Sequence, residues 1–252
     1  MRERGCFFIK HTLNKPSMSN QQTDNEIRVW DLPVRIFHWT LVLAIIGAFI
    51  SNQAGIEYFT YHLWCGYTVV VLVSFRILWG VVGTYHARFW NFVRGPIHTL
   101  RYGMDALRGK DAHYTGHNPL GALMVLLLLT TLLVQGVTGL FGNDEIINFG
   151  PLYGYISNDL SLKLTSLHRN LFNWIMGAVA LHILAVVAHR VYKKENLVRA
   201  MFTGRKPAAQ VSSAVEIRSS RIWLALILLA AVSGALAWLV IHAPQPEAVS
   251  FL

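Results

Sequence analysis

The chain has 252 residues, 54% of them hydrophobic, and a formal charge of +9. Its apolar residues fall in long runs that leave no room for a sizeable soluble domain, and its basic residues gather in alternate connecting segments, so the charge reports membrane topology and not a nucleic-acid partner. The two cysteines, Cys6 and Cys65, lie on different elements and exclude a disulfide framework or a CxxC metal site, while the absence of CxxCH means that any haem is held non-covalently, as a b-type group.

In chain order, residues 1–27 read as a flexible cytoplasmic tail. They are mixed polar and basic, and the apolar trio Phe7, Phe8 and Ile9 is too short for a signal-peptide core. Met18 is an alternative start. Five stretches then approach the ~20 apolar residues that cross a ~30 Å hydrocarbon core, at about 35–52, 62–83, 120–141, 170–190 and 221–242. Short loops make the first four antiparallel neighbours. The expected fold class is an all-α membrane protein: an antiparallel four-helix transmembrane bundle over 28–206, plus one additional C-terminal helix within 221–252 that ends in a short tail. Residues 207–220 form a linker, soft from Pro207 to Ser213. In the second-to-third loop, Pro96 opens either a short interfacial helix with Ile97, Leu100, Met104 and Leu107 on one side, or an ordinary polar loop.

Nineteen of the 22 Lys and Arg residues precede the first span or lie in the second-to-third and fourth-to-fifth loops. Loops 51–61 and 142–167 offer Lys163 alone, against Glu57, Asp144, Glu145 and Asp159. By the positive-inside rule the N-terminus is cytoplasmic and the tail after His242 periplasmic, in a bacterial inner membrane.

Ionisable residues inside spanning helices are costly and mark functional sites. Four of the eleven histidines stand out. His38 lies a turn into the first span near the cytoplasmic face, His62 opens the second span at the opposite face, and His168 and His182 occupy the fourth. The step from His168 to His182 falls ~40° short of four full turns, so both imidazoles leave the helix on nearly the same side, ~21 Å apart along its axis. His62 thus matches His168 in depth, and His38 matches His182, one pair in each leaflet. Facing imidazoles can clamp a porphyrin through its iron, which points to two haem b groups; hydrogen bonding between neighbouring helices is the plainer alternative. His189, on the same face as His182, competes as the inner ligand. His182 is preferred, because His189 lies nearer the cytoplasmic edge beside Arg190.

Gly66 and Gly177 either make room for the macrocycle or mark close helix packing. Arg76, deep in the second span, serves a haem propionate or a quinone carbonyl, or snorkels to the cytoplasmic surface. Arg169 serves an outer propionate or faces the acidic outer loop. His86, His98, His113 and His117 read as solvated loop histidines, with a metal or quinone role left open, and His11 and His242 as incidental.

The segments VWDLPVRIFHW (29–39), YHLWCGYTVVVLVSFRILWGVVGTYHARFWNFVRGP (61–96), GHNPLGALMVLLLL (116–129) and LHRNLFNWIMGAVALHILAVVAHRVYKKENLVRAMFTGRK (167–206) resemble the prokaryotic cytochrome b-561 family. The resemblance covers about 27–206 and implies a four-helix core with two b haems ligated from the first, second and fourth helices, here at His38, His62, His168 and His182. It also implies electron exchange between the membrane quinone pool and a redox partner. The N-terminal tail and the fifth span depart from the simplest members. A periplasmic c-type cytochrome is placed ahead of a hydrogenase-like enzyme as that partner. Beside this electron-transfer reading stand a membrane metal-ion transporter, which would need intramembrane Asp or Glu that these spans lack, and a non-catalytic anchor subunit.

Overall fold

A computed structural model of the chain describes residues 26–110, 114–211 and 215–244. The expectations for residues 1–25, Cys6, His11, Met18, His113 and the tail beyond 244 lie outside those residues. Helix starts are written locally. Asp31 caps α1 (Leu32–Ala54) by accepting the Val34 N–H at 2.7 Å, with Pro33 in its first turn. The chain turns at Gly55, whose φ of 112° suits glycine, and enters α2 (Phe59–Val82). A four-residue α3 (Phe89–Phe92) precedes α4 (Pro96–Leu107). Asn118 caps α5 (Pro119–Leu140) through the Gly121 N–H. Ser157 opens α6 (Asn158–Tyr192), Asn196 caps α7 (Leu197–Thr203), and α8 (Ile222–Ile241) closes the described chain.

The structure is all-α in its membrane part: α1, α2, α5, α6 and α8 are long and apolar enough to span. Adjacent packing runs α1 on α2, α2 on α5, and α5 on α6, with α8 against α2 and α1. The core lies among Phe37, Leu41, Val69, Val73, Phe75, Trp79, Leu129, Leu132 and Ile175, and Ala225 of α8 joins it. In α4, Ile97, Leu100, Met104 and Leu107 are all exposed while Tyr102 is buried, so the apolar face looks outward as an interfacial helix requires.

The fourth span differs from its expected bounds. It begins at Asn158, twelve residues before the apolar run, and its 35 residues extend ~52 Å. Its polar first turns are held by the loop beside them: Ser161 Oγ donates to the Phe141 carbonyl at 2.7 Å, and Thr165 Oγ1 accepts the Asn143 N–H at 2.9 Å. Hydropathy alone misses a helix end fixed by such bonds.

Two short strands, β1 (Glu26–Arg28) and β2 (Arg205–Pro207), pair antiparallel, Glu26 opposite Pro207 and Arg28 opposite Arg205. The segment after them is bonded to the bundle. Ile217 donates its N–H to the Arg28 carbonyl at 3.1 Å and is buried, and His86 Nε2 donates to the Val215 carbonyl at 2.7 Å. The basic connections (26–31, 83–110, 114–118, 193–211 and 215–221) share one end of the bundle with this ribbon, called here the basic end.

Candidate functional site

The four singled-out histidines meet in two pairs. The His38 ring of α1 and the His182 ring of α6 have centroids 6.5 Å apart, and those of His62 on α2 and His168 on α6 lie 6.2 Å apart. Two metal–imidazole bonds of ~2.0 Å, each with a ring radius of ~1.1 Å, require ~6.2 Å between centroids. Each pair therefore has the spacing that a single iron demands. Among the spanning helices α6 packs most extensively along α5, and its rings meet those of α1 and α2 at the two pairs and, between them, at Phe172, on which Phe49 stacks at 5.7 Å. Only Ser161 and Ile175 of α6 are buried.

At the pair far from the basic end, both imidazoles are anchored on backbone. His62 Nδ1 lies 2.9 Å from the Ala48 carbonyl, and His168 Nδ1 lies 2.8 Å from the Gln135 carbonyl. A carbonyl can only accept, so each Nδ1 carries the proton and each Nε2 keeps a free lone pair, the form that binds a metal. The two anchors share a construction: Ser51 Oγ also donates to the Ala48 carbonyl, and Thr138 Oγ1 also donates to that of Gln135, each from three residues along its own helix. Gly139 lets α5 approach, since a Cβ there would stand 2.9 Å from His168 Cε1.

The pair at the basic end lacks this arrangement, and His38 Nδ1 is buried with no hydrogen-bond partner among the described residues. His189 is engaged at both nitrogens, donating Nδ1–H to the Ala185 carbonyl at 2.9 Å and accepting from Asn118 Nδ2 at 3.0 Å. Gly66, on the His62 side of α2, has open space where a Cβ would stand. Gly177 is open too, but it is exposed and ~180° round the helix from His168, so it borders neither pair.

Arg76 does not snorkel. It is 3% exposed, donates to the Ala87 carbonyl at 3.1 Å and lies over the Phe89 ring. Arg169 is exposed and lines a cleft with Asn143, Asp144 and Glu145, which favours the acidic-loop alternative over an outer propionate.

Two loop histidines correct the sequence expectation of solvated rings. His86 is buried, and burial holds its imidazole below the ordinary value, with Lys206 adding to the effect and the Val215 carbonyl opposing it. His117 stands between the rings of Trp30 and Phe92, at 4.8 and 4.7 Å, and burial with Arg76, Lys206, His182 and His86 nearby pushes it down to about 3. His86 sits in a buried polar layer, and the half-buried His117 turns its buried Nδ1 toward it. There Asp31 accepts from Trp79 Nε1 and Thr84 Oγ1, and Lys206 Nζ lies 3.9 Å from Glu195 Oε2, both residues being 4% exposed. Loop residues carry no periodicity that foretells burial. The available signal was that His117 falls inside the segment GHNPLGALMVLLLL, directly before the cap of α5.

Among the described residues no three or more His, Cys, Asp or Glu side chains gather as a metal-ion site. The family model for the prokaryotic cytochrome b561 matches residues 29–204, which leaves α8 outside the match. The chain is 29% identical over 217 residues to a probable Ni/Fe-hydrogenase B-type cytochrome subunit of Rhodobacter capsulatus, covering 71% of this chain and 81% of that protein. It is 26% identical to the protein so named from Rhizobium leguminosarum bv. viciae, over 71% and 88% of the two chains. The probable Ni/Fe-hydrogenase 1 B-type cytochrome subunit of Escherichia coli (strain K12) is 23% identical over 73% and 93%. No solved structure matches. With the match spanning four helices and both histidine pairs, the chain belongs to the prokaryotic cytochrome b561 family and is a haem-binding membrane cytochrome of electron transport.

Proposed function

We propose that the chain is a di-haem b-type cytochrome of the bacterial inner membrane, carrying electrons between the quinone pool and a redox partner. The observation that carries this reading is the pair of centroid spacings, 6.5 Å for His38 and His182 and 6.2 Å for His62 and His168. A haem with imidazoles in both axial positions exchanges single electrons and leaves no position for oxygen. The residues supply the rest. His62 and His168 hold the Nδ1–H tautomer on the Ala48 and Gln135 carbonyls, which fixes ring orientation before any metal arrives. His182 takes the inner position, because His189 has both nitrogens occupied. The basic end lies in the cytoplasm, and α8 ends on the periplasmic side.

The relatives' names weigh toward a hydrogenase-like partner, reversing the order that placed a periplasmic c-type cytochrome first. The acidic residues Asp144 and Glu145 lie on the periplasmic loop where either would dock. The reading is tested by an optical spectrum of the purified protein, oxidised and then reduced with dithionite, together with haem analysis. A b-type spectrum with about two haems per chain is expected. A folded preparation without such a spectrum overturns the reading, and a ratio near one removes a pair.

A further inference from the structure

Among the described residues, five buried side-chain nitrogens lack a hydrogen-bond partner, and all lie toward the basic end: Arg35 Nε, His38 Nδ1, Trp39 Nε1, Arg76 Nη1 and His117 Nδ1. Buried donors without acceptors are rare and costly, so a cluster of them marks a place where an acceptor belongs. Two of the five differ in what surrounds them.

Arg76 is a charged group inside a span, and among the described residues no carboxylate forms an ion pair or hydrogen bond with it. The nearest acid in its electrostatic environment, Asp31, has both oxygens committed: Oδ1 to the Val34 N–H, and Oδ2 to Trp79 Nε1 and Thr84 Oγ1. The guanidinium has one carbonyl, one aromatic face and an idle Nη1. His117 offers a second idle nitrogen. Among the described residues the ionisable groups that act on it are Arg76, Lys206, His182 and His86, none of them an acid. Rings connect the two groups, since Arg76 lies over Phe89, Phe89 packs against Phe92, and Phe92 against His117, while His182, the residue of the basic-end pair on α6, acts on His117 electrostatically. A buried, planar, charged donor and a neutral ring whose Nδ1 is buried, both short of an anion among the described residues, match a carboxylate better than an uncharged quinone carbonyl.

We propose that Arg76 Nη1 and His117 Nδ1 jointly bind a propionate carboxylate of the haem held by His38 and His182. The inference rests on the di-haem reading and extends it by giving His117 a role in seating the cofactor. A propionate held between these donors fixes the rotation of the macrocycle about the axis joining the two imidazoles, which the axial bonds leave free.

The test uses the full-length protein in detergent, depleted of haem and titrated with either haem or haem dimethyl ester, whose propionates cannot ionise. For one of its two sites the wild type is expected to prefer the free acid by about tenfold to a hundredfold, the worth of a charge-assisted hydrogen bond. His117→Ala and Arg76→Gln are each expected to lose most of that preference while binding the ester as the wild type does. His117→Gln, which keeps an N–H donor, and Arg76→Lys, which keeps the charge, should retain part of it. A His117→Ala protein with undiminished preference overturns the proposal. So does a change confined to the affinity of a quinone analogue, with haem binding untouched. Wild-type protein that takes up only one haem, lost in His62→Ala, sinks the di-haem reading itself and is recognised before any comparison with the ester.

Discussion

His62 donates its Nδ1–H to the main-chain carbonyl of Ala48, 2.9 Å away on the neighbouring helix. His168 has the equivalent bond to Gln135, whereas His38 Nδ1 has no partner and Arg76 lies in the layer beside its pair. A carbonyl that accepts from a ligating imidazole raises the basicity of the ring and favours the oxidised metal, while a nearby buried cation favours the reduced one. The haem at His62 and His168 is therefore expected to have the lower midpoint potential. A redox titration should show two waves, and His62→Ala should remove the lower. Survival of the lower wave in that variant would reverse the assignment.

Ligand variants separate the pairs. His62→Ala and His168→Ala should each reduce haem from about two to about one per chain, as should His38→Ala and His182→Ala for the other site. His189→Ala should keep both, since its nitrogens are bonded to Ala185 and Asn118. Pyridine haemochrome analysis reads the ratio. Loss in His189→Ala with retention in His182→Ala would exchange their roles.

Gly139 offers a test that leaves every histidine in place. A side chain there meets His168 Cε1 at 2.9 Å, and the ring cannot retreat without leaving the Gln135 carbonyl. Gly139→Val is expected to lose the far haem and keep the one at the basic end. Two haems with unaltered spectra would show that the ring has room to move.

Acid should loosen the basic end. His86 is buried with its value below the ordinary 6.5, so between the two values the unfolded chain binds more protons than the folded one. Stability from this residue is complete above pH 6.5 and is lost as the pH falls through the lowered folded value. The melting temperature of the detergent-solubilised protein should fall with acidification from that point, and His86→Gln should flatten the fall. An equal slope in the variant would assign the acid sensitivity elsewhere.

Removal of 207–252 should spare the haems. All four ligand candidates lie on α1, α2 and α6, within or beside the matched span of 29–204, whereas α8 contributes Ala225 and Leu236 to the packing. Both haems are expected to remain, with a melting temperature several degrees lower. Haem loss would make α8 a wall of a site.

The spans and the pairing of histidines were legible because both follow from periodicity: apolar runs set depth, and the step from His168 to His182 sets direction. The backbone anchors were not. Every residue carries a carbonyl, so nothing in the letters Ala48 or Gln135 announces an acceptor, and only the packing of neighbouring helices selects them. The start of α6 escaped for a related reason, since Ser157, Ser161 and Thr165 tie polar turns to a loop whose course hydropathy does not describe. His86 and His117 were misplaced because burial in a loop arises from elements distant in sequence, Val215 for one and Trp30 for the other.

The pairing of Glu26 with Pro207 joins the two ends of the four-helix unit in one ribbon. A unit whose ends meet tolerates being rejoined there and opened elsewhere, for instance in the turn at Gly55. Such a permuted chain would present the same four imidazoles to the same neighbours in a different order of synthesis. Helix order along the gene is then separable from the site, which depends on which helices touch and not on which is made first.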